Sequence, residues 1–197
     1  MVFTLPNYLA PLPETDPAFP ALNTSMHDFV LKPPGQGGLV EAQIVKFTQD
    51  RPIFRIYGGA GKASQCGFWW NLDPPTGNTS TYFMQFAVCP EWNDATNIVK
   101  CSVPKDFNAI VGPGQSATCA DNSTISPDPI FLQLNGDVCQ IANMLGEDLT
   151  CEWCAAEQFS LENSACADVS EEPSSGTFTL SCSAALGASF MSGMWLF

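Results

Sequence analysis

Residues 55–75 read RIYGGAGKASQCGFWWNLDPP and combine an arginine, clustered glycines, a lysine, a cysteine and three consecutive aromatic residues. The chain of 197 residues contains only two arginines, and one of them opens this run. The preceding alternation at residues 52–57, PIFRIY, predicts a strand, and the glycines that follow predict a turn. The run therefore predicts a strand, a glycine-rich turn and an aromatic segment that ends at two prolines.

Two interpretations of this run compete. In the first, Arg55 grips a phosphate through two hydrogen bonds, the glycines admit a pyrophosphate, and Phe68, Trp69 and Trp70 offer flat surfaces to a ring. In the second, Arg55 pairs with an acid on a core strand, and the aromatic residues fill the core. Composition alone favours the second interpretation, because buried aromatic residues usually serve packing.

Alternating apolar residues predict further strands on both sides of this run. They lie at residues 39–47, 81–88, 96–103, 108–112, 130–134 and 138–143. Helical spacing of apolar residues, with acids in the first turn, predicts one helix from Glu147 to Phe159. The expected fold class is α+β, a mainly antiparallel sheet with one or two helices.

The distribution of proline, glycine and cysteine predicts how the chain is divided. Residues 1–38 are rich in proline and glycine and predict an arm that lies on the domain. Residues 39–197 predict a single disulfide-rich domain with a core at 52–145 and a cysteine-rich extension at 146–197. The last 21 residues carry no charge. Their alternation favours a packed element, with Phe178 and Leu180 buried, over a lipid anchor or a membrane span.

Cysteines and glycosylation sequons indicate a secreted or extracellular protein. Nine cysteines accompany three N-x-[ST] sequons at Asn23, Asn78 and Asn122. Together they favour an oxidising compartment, in which cysteines pair as disulfides and sequons carry glycans. An odd number of cysteines leaves at least one thiol free or bonded to another chain.

A cysteine pattern near the C-terminus also fits a metal site. Cys151 and Cys154 lie symmetrically between Cys139 and Cys166, and four cysteines can hold zinc tetrahedrally. Disulfides explain the same pattern and agree with an oxidising compartment. We therefore expect disulfides and no bound metal, with zinc as the alternative.

Charge and histidine content exclude several functional classes. The net charge is −13, from 20 acidic and 7 basic residues. Binding to nucleic acid or to an anionic membrane needs clustered lysine and arginine, so neither partner is expected. The single histidine, His27, lies in the proline-rich arm, which argues against a Ser-His-Asp or Cys-His centre. The order of residues in GGAGKAS also differs from that of a P-loop.

Three segments in order resemble a known family. The run FRIYGGAGKASQCGFWWNLDPP resembles the first signature of toxin and effector domains with the ADP-ribosyltransferase-like fold. Residues 87–116 resemble the middle section of these domains, and NGDVCQIANM at 135–144 resembles their last signature. The resemblance covers residues 52–145 and includes NAD glycohydrolases similar to the tuberculosis necrotizing toxin.

This resemblance implies roles for individual residues. Arg55 would bind the NAD phosphates and act with Gln140, which stands where transferases usually carry the glutamate that holds the ribose 2′-hydroxyl. A glutamine at this position is similar to the glycohydrolase variants. Asp137 departs from the family's second glycine. The resemblance assigns the dinucleotide site to Arg55, Tyr57, Gly58, Gly59, Phe68, Trp69 and Ser80.

The expected function is therefore a secreted NAD-consuming enzyme that cleaves the nicotinamide–ribose bond, as a glycohydrolase or an ADP-ribosyltransferase-like effector. NAD would be its substrate, a small-molecule dinucleotide, and no separate cofactor is expected. The alternative is a non-catalytic extracellular cysteine-rich module for binding or structure. The sequence does not indicate an oligomeric state.

Overall fold

A computed structural model describes residues 3–58, 62–63, 67–75, 77–129, 132–136 and 151–155. The elements in chain order are β1 (Leu9–Pro11), α1 (Phe19–Ser25), a π-helical turn (Met26–Val30), β2 (Gln43–Phe47), β3 (Arg51–Tyr57), β4 (Trp69–Asn71), α2 (Thr79–Phe86), β5 (Asn97–Val103), β6 (Asn108–Pro113), β7 (Ala117–Thr118), β8 (Thr124–Ile125), β9 (Leu132–Asn135) and β10 (Cys151–Ala155).

The described strands form one large sheet and one small hairpin. The large sheet has eight strands in the order β1-β2-β6-β9-β4-β3-β5-β10, and every neighbouring pair is antiparallel. Strands β7 and β8 form a separate two-stranded sheet. The α+β class with a mainly antiparallel sheet, which the alternation of apolar residues predicts, is confirmed.

Apolar clusters lie on both faces of the large sheet, because neighbouring residues of its strands enter different clusters. In β2, Val45 belongs to the central core cluster and Ile44 to a second cluster on the opposite face. The central cluster contains Phe47, Ile53, Trp70, Val99 and Leu134 among others. On the opposite face, α1 and the π-helical turn cover one part of the sheet and α2 covers another.

The N-terminal segment adds a strand to the edge of the sheet. Strand β1 pairs with β2, with Leu9 opposite Phe47, and the amide of Thr48 donates to the carbonyl oxygen of Tyr8 at 2.9 Å. The Tyr8 ring stacks on Phe47, and the Arg51 guanidinium lies 4.2 Å from the centre of that ring. Aromatic, cation–π and backbone contacts therefore attach the arm to the sheet.

The sequence predicts a strand at residues 81–88, but residues 81–86 form most of α2, so that prediction is wrong. The side chain of Asn78 caps the helix by accepting a hydrogen bond from the amide of Thr81 at 3.0 Å. Tyr82 and Phe86, four residues apart, are both buried against Phe54 on the sheet. The apolar residues of this short run are compatible with the two-residue period of a strand and with the 3.6-residue period of a helix. The capping residue Asn78 favours the helix.

The helix predicted from Glu147 to Phe159 is contradicted at residues 151–155, which form β10. This strand pairs with β5, with Cys151 opposite Cys101 and Ala155 opposite Asn97. Without β10, the backbone N–H and C=O groups on the outer edge of β5 would have no partners, and a strand satisfies them. Cysteine and tryptophan also have weak helix propensity. The remainder of that prediction lies outside the described residues.

Other strand predictions are confirmed, because β2, β3, β5, β6 and β9 lie within or largely overlap the predicted segments. The strand predicted at 138–143, the packed element at 177–197 and the side chains of the possible zinc cysteines lie outside the described residues. Within the described part of the chain, no helix combines the length and apolarity that crossing a membrane requires.

Candidate functional site

Arg55 lies where strands β3 and β4 separate. Their pairing consists of Phe54 opposite Asn71. Beyond that pair, the Arg55 side chain links the two strands, because its Nη1 donates a hydrogen bond to the carbonyl oxygen of Trp69 at 2.6 Å. Only 8% of Arg55 is exposed, and burial lowers the pKa of its guanidinium. Arg55 therefore joins the two strands from a buried position.

Gly67 provides the space that the buried guanidinium needs. A Cβ atom at position 67 would collide with the Arg55 nitrogens, so a larger residue would displace them. The Gly67 carbonyl oxygen also accepts a hydrogen bond from the Trp70 Nε1 at 2.8 Å. The glycine before the Phe-Trp-Trp run thus has a local explanation in the close approach of Arg55 and Trp70.

Tyr82 of α2 also lies near Arg55, although the sequence did not indicate it as a site residue. Burial raises its pKa to about 12, while the nearby Arg55 charge and a hydrogen bond with Asn71 lower that pKa. Asn71 is itself buried. The signal available in the sequence was the Asn78 cap, which places Tyr82 and Phe86 on one face of a helix instead of a strand.

The raised pKa of Tyr82 predicts a loss of stability at high pH. The unfolded chain releases this proton near pH 10, whereas the folded protein keeps it to about pH 12. Between those values the group lowers the free energy of unfolding by about 1.4 kcal/mol per pH unit. We expect the free energy of unfolding of Tyr82→Phe to fall less steeply than that of the wild type between pH 10 and 11, as measured by urea denaturation at pH 8, 10 and 11. Equal slopes for the two proteins would contradict the prediction.

Gly58, the residue directly after β3, is packed closely against Thr96. Gly58 has a φ of +155°, and a Cβ atom there would collide with the side chain of Thr96. The Gly58 amide donates to the Ala63 carbonyl oxygen at 3.2 Å. Lys62 forms an ion pair with Asp94. Thr96 thus occupies the space beside Gly58, and Lys62 is held by an acid.

The aromatic residues of the candidate site face different directions. Phe68 is 56% exposed, and Tyr57, whose pKa is raised by burial, packs against the central core cluster. Trp69 packs on the opposite face with Ile44 and the residues beneath α1. In the described structure, these three rings do not converge as a clamp around one ring-shaped ligand.

The first signature segment and the first two residues of the last one, Asn135 and Gly136, are neighbours in the fold. Strand β4 pairs with β9, with Trp69 opposite Asn135. The amide of Gly136 then donates to the carbonyl oxygen of Phe68 at 3.0 Å. The chain that continues to Gln140 therefore leaves β9 beside the aromatic run. Gln140 itself lies outside the described residues.

The remaining predicted site residues are Gly59 and Ser80. Gly59 lies outside the described residues. Ser80, which the resemblance assigns to the dinucleotide site, is exposed on the first turn of α2. Because Tyr82 follows Ser80 on the same helix, α2 contributes to the surroundings of Arg55 through the buried Tyr82.

A disulfide holds the segment after α2 to the β7–β8 hairpin. Cys89 and Cys119 are bonded, and their sulfurs lie within 4.8 Å of a Glu91 carboxylate oxygen. Joined sulfurs offer no thiolate to a metal, and Glu91 accepts a hydrogen bond from the Ala120 amide at 2.6 Å. The arrangement therefore ties a loop and a hairpin together.

Comparison with known proteins gives no relative: no family model matches the chain, and no curated protein or solved structure is significantly similar to it.

Proposed function

We propose that the chain is a secreted NAD-consuming domain that cleaves the nicotinamide–ribose bond, with its site where β3, β4 and β9 meet. The observation that carries the proposal is the hydrogen bond from the Gly136 amide to the Phe68 carbonyl oxygen. It holds Gly136, four residues before Gln140, next to the aromatic run, and β3 with Arg55 lies on the other side of β4. The first signature segment is thus adjacent to Asn135 and Gly136, the first two residues of the last one.

The chemistry needs few specialised groups. Nicotinamide leaves as a neutral molecule, so the reaction needs little help from a general base, and a histidine is not required. The site must hold the pyrophosphate and stabilise a cationic ribosyl group. Arg55 is held in place by the Trp69 carbonyl, and its charge acts more strongly on a nearby anion from a buried position than from water.

Incubation with NAD, followed by chromatography of free nicotinamide, tests the proposal. We expect release by the wild type. Phe68→Ala removes an exposed ring and should weaken NAD binding about 3- to 10-fold, the usual worth of one aromatic contact. Val40→Ala is the matched control, because Val40 is another exposed apolar residue, at 55%, outside the site. Gln140→Ala should slow turnover and leave the dissociation constant nearly unchanged.

The burial of Arg55 favours a second candidate function, a non-catalytic extracellular module for binding or structure. An arginine that is 8% exposed and bonded to a backbone carbonyl also serves simply to hold two strands together. On this alternative, folded wild-type protein neither binds nor cleaves NAD at millimolar concentration. A loss of stability in Arg55 variants is expected for both candidate functions. Weaker NAD binding by Phe68→Ala and slower turnover by Gln140→Ala are expected for the enzyme alone.

A further inference from the structure

The three sequons occupy different environments in the folded chain. We propose that Asn122 is the principal glycosylated asparagine and that Asn23 is not glycosylated. The proposal rests on the secretory compartment of the proposed function and does not depend on the NAD chemistry. It is based on the exposure of each asparagine and on the hydrogen bonds that each side chain makes within the fold.

Asn122 lies at the tip of the β7–β8 hairpin and presents its side chain to solvent. Its φ of +65° is a backbone conformation that asparagine tolerates better than most residues. Its amide donates to the Cys119 carbonyl oxygen at 2.9 Å, so the backbone is fixed while the exposed side chain makes no hydrogen bond to a described residue. The hydroxyl that the sequon requires belongs to Thr124, which is also exposed.

The hairpin is also a suitable place for a bulky sugar. Strands β7 and β8 form their own two-stranded sheet, outside the large sheet and its helices. The Cys89–Cys119 disulfide anchors the end of β7 where the loop that carries Asn122 begins. A glycan at Asn122 therefore extends from a fixed point and displaces no contact of the large sheet.

The environments of Asn23 and Asn78 are less favourable for a sugar than that of Asn122. Asn23 lies within α1 and is half-buried, and Ser25, which supplies the hydroxyl of its sequon, is half-buried in the same helix. Asn78 is exposed, but its Oδ1 caps α2 by accepting hydrogen bonds from the amide and hydroxyl of Thr81. A sugar on Asn78 must leave this carbonyl in place, whereas Asn122 carries no such constraint.

The modification is an ordinary group transfer. The bond between the anomeric carbon of the oligosaccharide and its polyprenyl pyrophosphate carrier breaks. A carbon–nitrogen bond forms to Nδ2 of Asn122, and one amide proton is lost as the pyrophosphate leaves. The donor is the lipid-linked oligosaccharide of the secretory pathway, and no oxidant or reductant takes part.

Secretion of the full chain from a eukaryotic host, with a leader supplied, tests the proposal. Peptide-N-glycosidase in ¹⁸O water converts each glycosylated asparagine into labelled aspartate, which peptide mass spectrometry locates. We expect the label chiefly at position 122 and none at position 23. Asn122→Gln should remove most of the glycan mass, and Asn23→Gln, the matched control, should remove none.

Two results would overturn the inference. One is folded protein, with the Cys89–Cys119 disulfide formed, that carries no label at position 122. The other is a label at position 23 as strong as that at position 122. Nicotinamide release is measured separately on Asn122→Gln and should equal that of the wild type, so failure of the glycosylation proposal and failure of the NAD proposal give different results.

Discussion

Replacing Trp70 with alanine is expected to lower the free energy of unfolding by about 3–5 kcal/mol, the range for removing a large buried aromatic side chain. Trp70 is 2% exposed and lies in the central core cluster with Ile53 and Leu134. Its removal leaves a cavity and also deprives the Gly67 carbonyl oxygen of the hydrogen bond from Nε1. Urea denaturation followed by far-ultraviolet circular dichroism measures the loss.

The same aromatic run supplies the control. Phe68 lies two residues before Trp70 and is 56% exposed, so Phe68→Ala should change the free energy of unfolding by about 0.5 kcal/mol or less. The comparison separates core packing from the surface role proposed for Phe68. A Trp70→Ala protein as stable as Phe68→Ala would show that Trp70 does not lie in the core described above.

Removing the Cys89–Cys119 disulfide should have the second large effect. The bond closes a loop with a sequence separation of 30 residues, and loop-closure entropy gives about 3–4 kcal/mol for a loop of that size. Replacing both cysteines with alanine should lower the free energy of unfolding by about that amount. Denaturant titrations of the two proteins under non-reducing conditions measure the difference.

Two further measurements strengthen this experiment. With a strong reductant present, the difference between the wild type and the double variant should shrink, because neither then holds the bond. Thiol titration of the denatured, unreduced wild type should find about one or two free thiols, the minimum that an odd number of cysteines allows. Besides Cys89 and Cys119, Cys101 is disulfide-bonded and should not react in this titration. Six or more free thiols would contradict an oxidised protein, and stoichiometric zinc would support the metal alternative.

The strands were predictable because their residues alternate between two buried faces. Strand β5 shows this well, since Val99, Cys101 and Val103 all enter the central core cluster. Local alternation failed at α2, where Tyr82, Met84 and Phe86 also alternate and only the Asn78 cap indicates a helix. It failed again at β10, where pairing with a distant strand overrides local helical spacing.

The arrangement of the residues around Arg55 could not be predicted from the sequence. A three-residue strand such as β4 has too few residues to show a period, and its neighbours β3 and β9 are set by long-range pairing. The roles of Gly67 beneath Arg55 and of Thr96 beside Gly58 depend on close approaches between segments. No local pattern encodes such approaches, so they are visible only once the chain is folded.

The position of β9 has a consequence for synthesis on the ribosome. Of the strands before it, β1, β2 and β6 can pair with one another, and so can β3, β4 and β5. Among the described strands, β9 is the one that joins these two half-sheets, so the facing edges of β6 and β4 stay unpaired until residues 132–135 emerge. Translation at about 5–20 residues per second makes that wait several seconds for β4. A nascent chain cut short before Leu132 would keep both edges open, which invites pairing with other unfinished chains.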